Sequence, residues 1–271
     1  MTYENDRQVD LEQFFTAEET AEELSQFIKD LPLYKKVKRI IEPSAGDGVW
    51  LEHLPVSLAY DLEPKAPAII QANYLETEIP YEKGTLFVGN PPFGKRGNLA
   101  RQFINKAATE GDWIAFVLPA SFGKRTLING INPNLHLIHQ LELFGERFRI
   151  EGGEKRIRCV FQIWERRETI REKIEIKHHT KDFTFTTNPD EADFCLVLRG
   201  FSHGKVKLEN FHNCSLGTHT FVKLEDPTNI VQIVERLEGL PVREFSKFST
   251  NQPSISTAEI VELYEKHYGD Q

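Results

Sequence analysis

The sequence predicts an α/β protein, with a mostly parallel, doubly wound sheet followed by a smaller α+β module. Three observations carry this. Short apolar runs at Ile40-Ile41, Leu58-Ala59-Tyr60, Leu86-Phe87-Val88 and Trp113 to Leu118 each stop at a polar or glycine-bearing turn, as strands buried on both faces do. Helix-like stretches over about 17–29, 49–54 and 99–109 precede or separate those runs. From about Thr169 the pattern changes to short strands and two helices, which places a boundary between a domain at 1–168 and a module at 169–271.

The chain has 271 residues, of which 39% are hydrophobic, enough to bury a substantial core. No apolar run is long enough to cross a membrane, and Met1-Thr2-Tyr3-Glu4 lacks a basic then apolar leader, so a cytoplasmic location and no membrane partner are expected. Cys159, Cys195 and Cys214 are too few and too scattered for a disulfide framework. His203, His212, Cys214 and His219 match no familiar zinc spacing, so no metal is expected. The net charge of −8 argues against a uniformly cationic surface. Bases nevertheless outnumber acids between Arg147 and Lys181, through Arg149, Lys155, Arg156, Arg158, Arg166, Arg167, Arg171, Lys173 and Lys177. That stretch reads either as a solvated face or as an edge that tracks phosphates.

The first helix is expected to open at Thr16, an N-cap with Glu19 three residues on, a capping box whose hydroxyl and orphan amides can also hold a carboxylate. Next, Glu42-Pro43-Ser44-Ala45-Gly46-Asp47-Gly48 follows a strand and opens a helix, as a cofactor loop does. A nicotinamide fingerprint is absent, because Leu51 stands where its third glycine belongs. The second strand ends on Asp61, an acid placed to accept from ribose hydroxyls. Asn73 and Tyr74 read either as an adenine contact with a stacking ring or as an ordinary loop. The strand Leu86 to Val88 then runs into Asn90-Pro91-Pro92-Phe93-Gly94. Two prolines forbid further sheet or helix and leave their carbonyls as acceptors beside the Asn90 amide, with the Phe93 ring following. Such a tip suits a flat ring bearing an amino group, whose lone pair is freed when two acceptors take its N–H bonds.

Gln13-Phe14-Phe15-Thr16, Glu42 to Gly48, Asp61, Asn73-Tyr74-Leu75 and Asn90-Pro91-Pro92-Phe93 resemble, in order, the motifs of S-adenosylmethionine-dependent adenine-N6 amino methyltransferases. Asn73 stands where that family usually carries Asp, and Ala17 where Pro is common. The resemblance implies a Rossmann-like class I methyltransferase sheet of seven strands. It implies S-adenosylmethionine held by Phe15, Thr16, Glu42, Ser44, Ala45, Gly46, Asp61, Asn73, Tyr74 and Asn90, and catalysis at Asn90, Pro91, Pro92 and Phe93. The target is expected to be adenine in DNA, flipped out of the stack. Adenine in structured RNA, a glutamine side-chain amide, and an inactive fold that only binds nucleic acid or a partner protein are the alternatives. Phe148 sits where the family places an aromatic against the base, or simply packs under a hairpin. Lys95, Arg96, Arg166 and Arg167 are expected on phosphates. A monomer or weak dimer is expected.

Leu135 to Leu143 and Arg158 to Trp164 read as paired strands turning at Gly152-Gly153. In the module, strands are expected at 174–176, 183–187, 194–198, 205–208 and 218–224, and helices at 229–237 and 257–267.

Overall fold

A computed structural model describes residues 15–145, 147–150, 153–154, 157–249 and 252–269. Gln13, Phe14, Gly152, Lys155 and Arg156 lie outside the described residues, as does the side chain of Arg149. The chain forms two compact units, Met1–Lys173 and Ile174–Gln271.

In the first unit the strands are β1 (Phe15–Thr16), β2 (Arg39–Glu42), β3 (Leu58–Asp61), β4 (Ile70–Gln71), β5 (Thr85–Gly89), β6 (Trp113–Pro119), β7 (Leu135–Leu143), β8 (Phe148–Ile150), β9 (Gly153–Glu154) and β10 (Cys159–Arg166). The main sheet has seven strands in the order β4-β3-β2-β5-β6-β10-β7. Strands β4 to β6 are parallel and β10 runs antiparallel between β6 and β7. The seven strands and their mostly parallel, doubly wound order are those expected from the sequence. Every residue of β5 and β6 is buried, which is why both read as unbroken apolar runs.

Helix α1 (Glu18–Asp30) buries Thr20, Ala21, Leu24, Ser25 and Ile28, one stripe at helical spacing, against the sheet. It opens at Ala17 with no side-chain cap, and not at Thr16 with a capping box. The reason is competition: Thr16 pairs with Phe148 in the β1-β8 ladder and is buried, while the Ala17 amide donates to the Arg147 carbonyl at 3.0 Å. Helix α2 (Val49–His53) starts after Gly48, whose φ of 86° suits glycine alone. Helix α3 (Asn98–Glu110) lies between β5 and β6.

The first unit runs past Glu168 because its last residues are tied to it. The Arg171 guanidinium donates to the carbonyls of Leu135, Ile128 and Ile131. Arg171 is therefore a clamp on its own domain, not a phosphate ligand, and desolvation lowers its pKa.

The second unit has a sheet of order β11-β14-β12-β13, made of β11 (Phe183–Thr186), β12 (Phe194–Val197), β13 (Val206–Lys207) and β14 (His219–Leu224). One face packs Phe183, Phe194, Leu196 and Val222 against helices carrying Ile233, Leu237, Ile260 and Leu263. The last helix, Thr257–Tyr268, has the capping box expected of good N-termini, between Ser256 and Glu259. The stretch 174–176 is irregular and not the strand expected there.

A buried polar chain fixes the strand order. Gln162 Nε2 donates to the Phe122 carbonyl at 3.0 Å and to Gln140 Oε1 at 2.7 Å, and Gln162 Oε1 accepts from Trp164 Nε1 at 3.2 Å. Replacing Gln162 with Leu strands two buried polar groups, the Phe122 carbonyl and Trp164 Nε1, and the half-buried Gln140 amide, so denaturant unfolding should show a loss of roughly 2–4 kcal/mol; a change within experimental error would mean that water enters freely there.

Candidate active site

Strands β2, β3 and β5 end side by side; from β2 the chain steps outward through β3 to β4 and then crosses back to β5 on the other side of β2. A crevice at the carboxyl ends of the strands follows from that topology. It holds a cavity of about 230 Å³ bounded by the three strand ends, the Phe15-Thr16 strand and the Asn90 to Phe93 tip.

The loop after β2 is held by backbone. Ala45 N–H donates to the Tyr60 carbonyl at 2.8 Å, and Gly46 N–H donates to Asp61 Oδ2 at 2.7 Å. Asp61 Oδ1 accepts from the Glu63 amide at 2.8 Å. Asp61 lines the cavity as expected, yet both its oxygens already hold amides, so its first task is to lock the glycine loop onto β3. Gly46 has φ +55°, and a Cβ there would come within 2.9 Å of the Phe15 ring. That ring is the cavity's lid-side wall, with the Lys65 ammonium 4.4 Å from its centroid.

Glu42 is 1% exposed and lines the cavity. Its Oε2 has no hydrogen-bond partner among the described residues. Burial pushes its pKa well up, with Asp47 and then Asp61 adding repulsion. A buried acid without a partner, facing a cavity with two more acids on its wall, favours a cationic guest. Ser44 Oγ, on the same wall, also lacks a partner among the described residues.

Gly89, at φ 142°, brings the end of β5 against Glu42, where an added Cβ would stand 3.3 Å from Glu42 Cγ. Asn90, Pro91, Pro92 and Phe93 then line the cavity mouth. Among the described residues no amide donates to the Pro91 or Pro92 carbonyls. The loop closes tightly: Gly94 and Gly97 have φ of 65° and 73°, and Arg96 joins them in the left-handed region at 56°. A non-glycine residue held there stores backbone strain beside the tip.

Two expectations are corrected. Tyr74 touches the cavity wall but is 1% exposed, packs on Phe87 and Phe103, and donates its hydroxyl to Glu110 at 2.6 Å; it has no free face to stack on a ligand. Phe148 is 1% exposed in the core with Leu24 and Trp50, so it does not face a base opposite Phe93. Asn73 lines the cavity while its Oδ1 caps the following turn through the Leu75 amide.

Lys95 and Arg96 are exposed just past the tip. Arg166 and Arg167 are not near it. Because β10 pairs Glu165 with Trp113 and Cys159 with Pro119, its last residues stand at the amino ends of the parallel strands. There Arg166 covers the Tyr81 ring and Arg167 pairs with Glu165 at 2.7 Å. The crevice end of β10 carries Arg158, exposed and bonded through its carbonyl to Ala120. Leu62, 55% exposed beside Asp61 on the cavity rim, was not singled out in the sequence; an apolar residue between the two acids Asp61 and Glu63 was its signal.

No protein-family description matches the chain, and no curated protein matches it. Solved structures do resemble part of it. One is a Pyrococcus horikoshii protein provisionally named an RNA methyltransferase, at 17% identity over 58% of this chain and 88% of that one, with TM-score 0.46. Another is Thermoplasma acidophilum 1320, at 20% identity over 62% and 100%, with TM-score 0.42. A third is the 23S rRNA methyltransferase ErmE, at 14% identity over 60% and 72%, with TM-score 0.41.

Glu42 offers a test of the site without substrate. Its pKa is raised in the folded state, so ionising it as pH climbs from the usual carboxylate range through the raised value removes stability. Glu42→Gln should therefore raise the melting temperature of the ligand-free protein at neutral pH, with little effect at about pH 4, where both forms are neutral. Equal shifts at the two pH values would show that the carboxyl is not titrating in the cavity.

Proposed function

We propose that the chain transfers a methyl group from S-adenosylmethionine to the N6 amino group of adenine in DNA. The observation that carries this is the Asn90-Pro91-Pro92-Phe93 tip at the mouth of a cavity walled by Glu42, Asp47 and Asp61. A guest bearing a sulfonium and an ammonium suits three acids, and an amine with two N–H bonds suits the acceptors at the tip. The cavity residues fit the cofactor: Glu42 and Ser44 have polar atoms without a partner among the described residues for its amino acid end, Asp61, each oxygen of which keeps a second acceptor site beside the amide it holds, suits its ribose, and Leu62, in place of Tyr74, offers an apolar face for its adenine. When bound, it supplies an activated methyl electrophile.

The protein's part is positional. Asn90 Oδ1 and the Pro91 carbonyl take the two amine hydrogens, which draws the nitrogen toward a tetrahedral shape and frees its lone pair. Phe93, half-buried at the mouth, offers a face to the extruded base. Alignment and desolvation then supply most of the rate, since the donor is already activated. Lys95, Arg96 and Arg158 form the cationic rim that meets phosphates at this end of the sheet.

Incubating the full chain with labelled cofactor and separate DNA and structured RNA pools, followed by nucleoside analysis, tests the substrate. Label in N6-methyladenine from DNA is expected; label in RNA alone would move the substrate to RNA, and none in adenine would sink the reading. Asn90→Ala should lower turnover on the order of 10²- to 10³-fold while calorimetric cofactor affinity stays within about threefold. Loss of both together would make the tip a structural element.

Neutralising Lys95, Arg96 and Arg158 together should weaken nucleic-acid binding across all sequences and reduce its salt slope by up to about three counterions. Neutralising Arg166 and Arg167 should leave that slope unchanged. The reverse result in a filter-binding titration would place the nucleic acid at the wrong end of the sheet.

A further inference from the structure

The second unit's sheet has two faces of different character. One is covered by helices. On the other, Cys195, Phe221 and Phe211 form a small separate cluster with Cys214 at its edge. Strand register explains the grouping. Cys195 pairs with Phe221 in β14 and with Lys207 in β13, and His219, two residues before Phe221, points to the same side. The segment 208–218 has no helix or strand of its own and carries Cys214 back over this face.

The result is a convergence that spacing alone did not disclose. The sulfurs of Cys195 and Cys214 and an imidazole nitrogen of His219 all lie within 4.8 Å of one another. His203 and His212 are outside the group; His203 contacts the Gly200 carbonyl and His212 stacks on Phe211. The His219 ring is oriented by the Thr218 hydroxyl, 2.8 Å from Nδ1, as a partner behind a ligating histidine does. Cys195 is fully buried, and Cys214 and His219 are half-buried. A disulfide would use the two thiols and leave the imidazole idle.

We propose that Cys195, Cys214 and His219 form a binding site for a divalent zinc-class ion that pins segment 208–218 to the sheet. Two sulfurs and one nitrogen are the donor set such an ion selects, and tetrahedral ligation would draw them to about 3.5–4 Å apart, with water in the fourth position. Binding releases two thiol protons to solvent and leaves two thiolates on the metal. Burial, with a hydrogen bond to Cys214, pushes the Cys195 thiol up to about 12, so without metal it stays protonated. Lys207, whose Nζ is 3.9 Å from Cys214 Sγ, must turn aside, and its exposed chain is free to do so. A module of this size gains from such a staple, because its second face has little apolar area to hold a loop. The site is independent of methyl transfer.

Titration of the reduced full-length protein with Co²⁺ tests this. A thiolate-to-cobalt charge-transfer band saturating at a single equivalent, and displaced by Zn²⁺, is expected. Cys214→Ser and His219→Ala should each lose the band, while His212→Ala keeps it. Circular dichroism of each variant confirms that it is folded. Absence of the band in the folded parent, persistence of the band in both ligand variants, or recovery of a Cys195-Cys214 disulfide from protein purified with zinc present would overturn the proposal.

Discussion

Strand β2 is the hinge of the first unit's topology. It has parallel partners on both sides: the chain leaves it for β3, and reaches β5 only after crossing back from β4 at the edge of the sheet. The strand order reverses there, which opens a crevice at the carboxyl end of the sheet and brings the loops that meet at it face to face. A single backbone-to-side-chain bond turns this opening into a shaped site: Gly46 N–H to Asp61 Oδ2, at 2.7 Å, ties the loop after β2 to the end of β3. The loop's glycine in turn permits the Phe15 ring to lie across it, at a distance that any Cβ would violate. Topology makes the crevice, and this one contact gives it walls.

Within those walls the electrostatics run against stability. Glu42 is buried without a partner, and the two nearest acids raise its pKa further. A packed core would normally replace such a group by an apolar one, because an unpaired buried carboxyl costs free energy. Its retention at the base of a cavity makes sense when a cationic guest supplies the missing partner. Arg96 carries strain of a different kind, a left-handed backbone between two glycines of positive φ.

Much of this was legible from the residues. The buried runs at β5 and β6 and the glycine turn after β2 read directly, because each depends on local sequence. The misreadings share a cause. Thr16 looks like a helix cap locally, but a partner more than a hundred residues away takes it into a ladder. Tyr74 and Phe148 have the right residue type and order for ligand contacts, yet which way a ring turns is decided by neighbours such as Phe103, Glu110 and Trp50, distant in the chain. Arg166 ends and Arg167 follows β10, whose antiparallel direction carries them to the far end of the sheet, and one reversed strand is invisible to composition. The Cys195, Cys214 and His219 group shows the same limit from the other side, since cross-strand register brings together residues whose spacing carries no signal.

The charges also separate along the strand axis in a way that net charge hides. Acids gather inside the crevice, at Glu42, Asp47 and Asp61, while Lys95, Arg96 and Arg158 are exposed at the same end of the sheet. On the proposed function this order matters. A polyanion held by those bases would be repelled by an empty acidic cavity, and inside a low-dielectric crevice that repulsion is screened less than at the surface. A cation seated below the rim reverses the sign of the interaction. Cofactor binding therefore favours nucleic-acid binding, and by linkage the reverse holds to the same degree. Removing the Glu42 charge should weaken that coupling, so the glutamine variant that is more stable alone would also bind its two ligands more independently of each other.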